Sequence, residues 1–338
     1  MMGYTFIDPE NRENVEQHIR SIGWLEAGDS VVSVDRAGSG NMNCTLRIRL
    51  KSGCWIIKQA RPWVEKYPQI PAPAGRADVE AAFYSFTSNY EDISRCMPAL
   101  KAFDESTKTL LIEDLGEAQD FTDLYSSDSC SLEILPQLCQ WLSALHHIDV
   151  DENLRGKFVN REMRSLNGEH LFYFPLKSQN GMDLDDITLG LGALAAELRA
   201  DVDYVKAIEN LAKIYEQDGT ELLHGDFYPG SWLRDLKSDN FWVIDPEFCF
   251  MGPSEFDVGI LVAHLVLGGK SLISALEVFD LYSSLPQFEP ELALKFAGVE
   301  IMRRVIGVAQ LPLESDINEK SELIACSKKL ILSPNHVF

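Results

Sequence analysis

The chain changes character once, near residue 115, and that change limits the folds open to it. Residues 30–60 (SVVSVDRAGSGNMNCTLRIRLKSGCWIIKQA) read as three β-rich runs separated by a Gly-Ser-Gly loop and a Lys-Ser-Gly turn. PAPAG at 71–75 breaks the chain, and RADVEAAFYSFTSNY then has helical periodicity with Val79, Ala82, Phe83 and Phe86 on one face. Residues 98–115 read as a β-hairpin turned at Asp104-Glu105-Ser106, so five strands and one helix fill the first third, behind a short amphipathic helix at 11–21. Beyond 115 the segments 132–148, 191–217 and most of 254–330 are helical in pattern. One β-like interruption remains, where SWLRDL and FWVID flank a turn. The expectation is an α+β protein with a small β-rich lobe, 1–115, and a larger, mainly helical lobe, 116–338.

Charge and cysteine usage exclude several function classes. Thirty Lys and Arg against 52 Asp and Glu leave a formal charge of −22, a field that repels nucleic acid and anionic lipid. The seven cysteines are scattered and form no CxxC pair, which argues against a disulfide framework and a zinc site. The longest oily run, GILVAHLVLGG at 259–269, is too short to span a bilayer, and the N-terminus shows no secretory pattern. A cytoplasmic location is expected; a homodimer is compatible with the sequence but not specified by it.

The most informative stretch is ELLHGDFYPGSWLRDLKSDNFWVIDPEF, 221–248, where acids interrupt an apolar sequence. Asp235 and Asp239 sit in a turn and can face water. Asp226, Asp245 and Glu247 lack that escape, and an unpaired buried carboxylate is heavily penalised. Metal ions and a substrate hydroxyl would satisfy them, and the expectation is that such ligands rather than lysines do so.

Upstream, AGSGNMN at 37–43 joins two predicted strands, and Gly38 and Gly40 allow backbone amides to approach an anion. Taken alone the loop reads equally as a hairpin turn, Lys58 in WIIKQA as a solvated strand residue, and Glu80 as a solvated helix residue. Their order is more specific than any one of them. Strand, glycine loop, strand, strand with Lys, helix with Glu is the lobe layout of protein-kinase-like enzymes, in which a Lys–Glu pair holds the phosphates of ATP. Asp226 and Asp245, nineteen residues apart, follow in the order that such an enzyme needs.

HGDFYPGSW, VIDPEF and GPSEFDVG resemble the aminoglycoside phosphotransferase/choline kinase superfamily and, within it, the 5-methylthioribose kinases. GNMN (40–43), KQARPWV (58–64) and MRRVIGVA (302–309) are similar too, so the likeness runs in order from about residue 38 to 309. The resemblance implies a kinase that uses ATP and Mg2+ on a small hydroxyl substrate. It implies that Asp226 orients the hydroxyl and accepts its proton, that Asp245 and Glu247 hold magnesium, and that Lys58 contacts the α/β-phosphates. Gly38, Gly40 and Asn41 would line the phosphates, Glu80 would pair with Lys58, and adenine would meet backbone near Glu113 to Leu115. Ser231 stands where the wider superfamily has a metal-binding asparagine; it reads either as a third metal-site residue or as a turn-stabilising hydroxyl. His224 would brace the loop, and Asp257 would bind backbone amides beneath it. Phe227, Tyr228 and Pro229 depart from the Leu-His-Thr of the methylthioribose kinases and flank the nucleophile's position.

Arg303 and Arg304 bear on the acceptor. Neighbouring helical residues point in different directions, so at most one is expected to face a given site; the alternative is that both pair with acids on an acidic surface. The resemblance places them at the sugar site, stabilising charge during transfer. Arginines suit a neutral polyol, a sugar or an acid better than choline or an aminoglycoside, for which acids and an aromatic cage are the expected chemistry. A choline-, homoserine- or aminoglycoside-type kinase of the same fold, and a nucleotide-binding pseudokinase, remain as alternatives.

Overall fold

The computed structural model describes residues 5–38, 40, 42–126, 132–238, 240–311, 313 and 315–337. Asn41, Asp239 and Cys130 lie outside the described residues. The chain divides into two compact units, Met1–Ala118 with Asp235–Glu247, and Gln119–Arg234 with Phe248–Phe338. It therefore leaves the second unit after Arg234 and re-enters it at Phe248.

The first unit is built on a five-stranded antiparallel sheet of β1 (Val31–Arg36), β2 (Cys44–Leu50), β3 (Cys54–Gln59), β6 (Leu100–Asp104) and β7 (Thr109–Glu113) in the order β1-β2-β3-β7-β6. These are the five strands expected. Alternation decides the buried face: Cys44, Leu46, Ile48 and Leu50 of β2 are buried, with Val15 and Ile19 of helix α1 (Arg12–Ser21) in the same core. The β6–β7 turn is set by Asp104, whose carboxylate accepts from Thr107 N at 2.8 Å and Ser106 Oγ at 2.7 Å. A small ribbon, β4 (Trp63–Val64) with β5 (Tyr67–Pro71), was not expected; its second strand ends at Pro71, where PAPAG reads as a break. Proline is tolerated in such a ribbon because few of its amides face a partner.

Helix α2 (Arg76–Thr87) forms where its periodicity put it, but its buried face differs. Arg76, Ala77, Glu80, Ala81, Phe83, Tyr84 and Thr87 are buried, whereas Val79, Ala82 and Phe86 are only partly so. Two charged residues have turned inward. Their partners come from distant strands and loops, so hydrophobic spacing alone selects the wrong stripe. The short helix α3 (Glu91–Ser94) follows.

The second unit is helical. All 13 residues of helix Glu255–Leu267 are buried, and it packs on helix Pro290–Ile306. A Cβ at Gly259 would lie 2.4 Å from the Ala293 carbonyl oxygen, so glycine permits this close crossing. Helix Ile317–Leu332, started by a capping box of Asp316 and Glu319, covers the other side of Pro290–Ile306. Strands Glu221–Leu223 and Phe250–Gly252 pair antiparallel and support the HGD loop. Among the described residues no helix is long and apolar enough to cross a membrane.

Candidate active site

In the first unit, β3 is paired on both edges, with Lys58 opposite Thr45 on β2 and Leu110 on β7. This fixes the backbone of Lys58, and its side chain is 4% exposed. The ammonium donates at 2.8 Å to Glu80 Oε1 from α2 and at 2.8 Å to Asp245 Oδ1 from the segment 235–247. Burial opposes its charge, but Asp245, Glu80 and Glu247 outweigh that and hold Lys58 well above its ordinary pKa. Glu80 is pushed up to about 7, first by burial and then by Glu247 and Asp245, against the lowering effect of Lys58. This neighbourhood holds more negative charge than its lysine can balance.

Glu247 is buried and accepts from Asn43 Nδ2 at 2.9 Å; Arg76 Nε lies 3.1 Å from the same Oε2. Arg76 is fully buried and also donates to Asn43 Oδ1 (2.9 Å) and to the carbonyls of Met42 (2.8 Å), Arg61 (2.8 Å) and Pro73 (2.7 Å). It thereby ties the end of the glycine loop to the DPEF segment. The expectation that ligands rather than side-chain cations satisfy Asp245 and Glu247 is corrected: Lys58 holds one and Arg76 the other. Folding brings these cations from more than 160 positions away, a distance that no local pattern registers. Asp245 has φ +61°, a left-handed conformation costing a non-glycine residue about 1–2 kcal/mol, and its side chain keeps 44% exposure. Gly38 has φ +72°, and among the described residues, its chain neighbours apart, no heavy atom lies within 4 Å of a Cβ at Gly38 or Gly40. Glu113 closes β7, with its amide bonded to the Ala99 carbonyl at 2.9 Å, and Leu115 follows two residues later.

In the second unit the HGD loop is held from beneath. Asp257 accepts from the amides of His224 at 2.7 Å and Gly225 at 3.0 Å, and His146 Nε2 lies 3.2 Å from it. His224 Nδ1 accepts from the Asp226 amide at 3.3 Å, so the ring braces the loop. Gly225 has φ +82°, and its Cβ would strike the Phe248 carbonyl oxygen at 2.1 Å; only glycine fits. Ser231 Oγ donates to the Asp226 carbonyl at 2.9 Å, closing the turn. Phe227 is a core residue, stacked on Trp141 at 5.6 Å and buried. Tyr228 instead places its ring 5.0 Å beneath the Arg304 guanidinium. A Cβ at Gly230 would lie 2.4 Å from the Tyr228 hydroxyl, so that glycine makes room for the tyrosine.

Arg303 and Arg304 do not diverge as expected. Both bind Glu300: Arg304 Nε at 2.7 Å, and Arg303 through Nε and through Nη2 at 3.1 Å. Residues three and four positions along a helix flank the residue they follow, so two adjacent side chains can converge on it. Arg303 Nη2 is then 3.7 Å from Asp226 Oδ1. Glu300 is fully buried and accepts again from His264 Nε2, at 3.0 Å. Burial opposes its charge, but the two arginines and His264 hold its carboxyl well below the usual range.

The structure therefore brings together Lys58, Glu80, Asp245 and Glu247 in one unit, and Asp226, Ser231, Arg303 and Arg304 in the other. Sequence reasoning missed Asn43, Arg76, His264, Glu300 and Tyr125. Of these, only Glu300 had a local signal, an acid three and four positions before an arginine pair. Among the described residues no group of three or more His, Cys, Asp or Glu is arranged to hold a metal ion.

Residues 36–281 match the phosphotransferase enzyme family, known by the abbreviation APH. A methylthioribose kinase of Bacillus cereus (strain G9842) is 25% identical, over 93% of this chain and 88% of that protein. One of Geobacillus kaustophilus (strain HTA426) is 27% identical, over 86% and 83% respectively. Among solved structures, the spectinomycin phosphotransferase APH(9)-Ia with ADP and spectinomycin superposes with a TM-score of 0.56 at 12% identity, over 97% of this chain and 99% of that one. LicA in complex with AMP superposes with a TM-score of 0.53 at 14% identity, over 94% and 98%. These similarities show the fold, which is protein-kinase-like and of the α+β class. The chain belongs to the phosphotransferase enzyme family and is a small-molecule kinase with a hydroxyl acceptor.

Proposed function

We propose that the protein transfers the γ-phosphate of ATP to a hydroxyl of a neutral sugar, 5-methylthioribose or a related pentose. The observation that carries this reading is the pairing of Asp226 with Arg303, one of two buried arginines that share Glu300. Two guanidiniums face two carboxylates there, with His264 held neutral at a pKa of about 4 by burial, so the charges balance. A cationic acceptor such as choline would meet the positive charge of the arginines, whereas a polyol offers hydroxyls to both acid and guanidinium. The named relatives point the same way.

In this reading Asp226 aligns the acceptor hydroxyl and takes its proton, and Arg303, 3.7 Å away, stabilises charge as it develops. Lys58 exchanges its bond to Asp245 for phosphate oxygens while Glu80 keeps the ammonium in place. The donor set fits magnesium: Asp245 is a half-exposed carboxylate in a negatively charged neighbourhood, and Mg2+ typically takes one or two carboxylates plus substrate phosphates. Bound magnesium would neutralise phosphate charge. Glu247 would reach it only with its other oxygen, because Oε2 already serves Asn43 and Arg76. The Ser231 hydroxyl is engaged by the Asp226 carbonyl and in this reading serves the loop. Gly38, Gly40 and Asn41 would line the phosphates, and adenine would meet backbone between Glu113 and Leu115.

ATP consumption should be measured with methylthioribose, other pentoses, choline, homoserine and aminoglycosides. Turnover confined to the pentoses is the expected result. Turnover on choline or an aminoglycoside, with none on pentoses, would overturn the assignment.

A further inference from the structure

Behind the two arginines lies a line of buried polar groups that no step of phosphoryl transfer calls for. Tyr125, at the end of the short turn Thr122–Tyr125, places its hydroxyl 2.6 Å from His264 Nδ1. His264 comes from the middle of helix Glu255–Leu267, is fully buried, and reaches Glu300 Oε1 with Nε2. Glu300 holds both arginines, and the Tyr228 ring of the HGD loop sits against Arg304 and 5.6 Å from the His264 ring. Four separate segments thus meet in one network.

The direction of each bond follows from chemistry. The Glu300 carboxylate can only accept, so His264 Nε2 carries the hydrogen and Nδ1 is left as an acceptor. The Tyr125 hydroxyl must therefore donate. A neutral imidazole is what this arrangement needs, and burial, reinforced by the two arginines, holds His264 neutral. One tautomer satisfies every member. Packing alone does not account for such a set, since a buried ionic cluster is often matched or bettered in stability by apolar residues of similar volume. What it supplies is direction: Glu300 has its Oε1 held from behind by His264, and the same oxygen takes a bond from each guanidinium in front.

We propose that Tyr125, His264 and Glu300 form a positioning relay that sets where Arg303 and Arg304 stand beside Asp226, and with it the alignment of the acceptor. The relay rests on the reading of Asp226 and the arginines as the acceptor half of a kinase.

Tyr125→Phe removes one hydroxyl at the far end of the relay and touches no reacting group. Tyr204→Phe is the control: that hydroxyl is equally buried and bonded, to Ser327 Oγ at 2.7 Å, but its hydrogen-bond chain ends on the Gly298 backbone carbonyl and not on the Glu300 side chain. Tyr125→Phe is expected to lower kcat for the pentose roughly five- to tenfold with the KM for ATP unchanged, and Tyr204→Phe to stay within about twofold of wild type. In a Glu300→Gln background the Tyr125 effect should vanish, as it must if it acts through Glu300. Equal kcat values for the two tyrosine variants, or a Tyr125 effect that persists in Glu300→Gln, would overturn the relay. The Nε–Hε NMR signals of Arg303 and Arg304 give a readout that needs no acceptor. They should shift in Tyr125→Phe and stay in place in Tyr204→Phe, and unmoved signals in both would also overturn it. A wild-type enzyme inactive on every pentose would instead sink the proposed substrate, leaving the NMR result to judge the relay.

Discussion

In the first unit one buried lysine is shared by two carboxylates, Glu80 and Asp245; in the second, one buried carboxylate, Glu300, is shared by two arginines. The arrangements mirror each other in sign, but their surroundings differ. Around Lys58 a third acid, Glu247, raises the negative charge, and Arg76 pairs with it. Glu80 rises to about 7, through burial first and the neighbouring acids Glu247 and Asp245 second. Around Glu300 the extra arginine is matched by Asp226, and the histidine is neutral. A site with surplus negative charge suits a divalent cation carrying a nucleotide, and a balanced one suits an uncharged acceptor. The contrast is one of leftover charge more than of residue type, and under the proposed function it is what would distinguish the two substrates.

The largest expected effect tests whether the halves are separable. Asp226→Asn should lower turnover at least about a thousandfold, some 4 kcal/mol of barrier, with ATP affinity by calorimetry nearly unchanged. Loss of ATP binding in this variant would break the comparison, because the acceptor half would then also be holding the nucleotide.

The second test uses pH on the balanced side. His264 sits at about 4 in the folded protein against an ordinary 6.5, so the unfolded chain binds more protons between these values. Its contribution to stability is complete above pH 6.5 and is lost as the pH falls toward 4, a span worth about 3 kcal/mol. Urea unfolding of wild type and His264→Gln at pH 7 and pH 4.5 should show a steeper loss in the wild type. Parallel losses would mean that the histidine is charged in the fold and the acceptor half is not balanced.

On the acidic side, Asp245→Asn should weaken Mg·ATP binding about tenfold, roughly 1.4 kcal/mol, and change ATP binding in EDTA far less. Equal weakening with and without magnesium would remove the metal from the explanation of the surplus charge. The smallest effect concerns the glycine loop. Gly38→Ala should cost about 1 kcal/mol in thermal unfolding because of its φ of +72°, while Gly40→Ala should be nearly neutral. A reversed order would mean that space, not backbone conformation, governs this loop.

Much of the architecture was legible because its signals are local. The five strands of the main sheet, the Asp104 turn and the long helices after residue 132 follow from alternation, turn residues and helical spacing. The β4–β5 ribbon was not legible, since it runs into the PAPAG break at Pro71 and only pairing shows it. The candidate site was legible as residue type in order: a lysine on the third strand, a glutamate on the next helix, HGD and DPEF downstream. Partners were less so. The buried stripe of α2 was misassigned because Arg76 and Glu80 turn inward to partners at Glu247 and Lys58, and a hydrophobic pattern scores both as surface. The arginine pair was misjudged because side chains at 303 and 304 were assigned to different faces, while Glu300 lies between those faces and accepts from both.

By itself the sequence determined the order of elements, the strongly negative charge, and which acids and cations were available for phosphoryl transfer, since propensity, periodicity and composition act over a few residues at a time. Tertiary structure alone decided that residues 235–247 return to the first unit, that Lys58 answers Asp245 and Arg76 answers Glu247, and that Tyr125, His264 and Glu300 meet behind the arginines. The reason is one of range. A buried charge is stabilised by whatever lies within a few ångströms in space, and for this chain that is set by segments up to about two hundred residues apart.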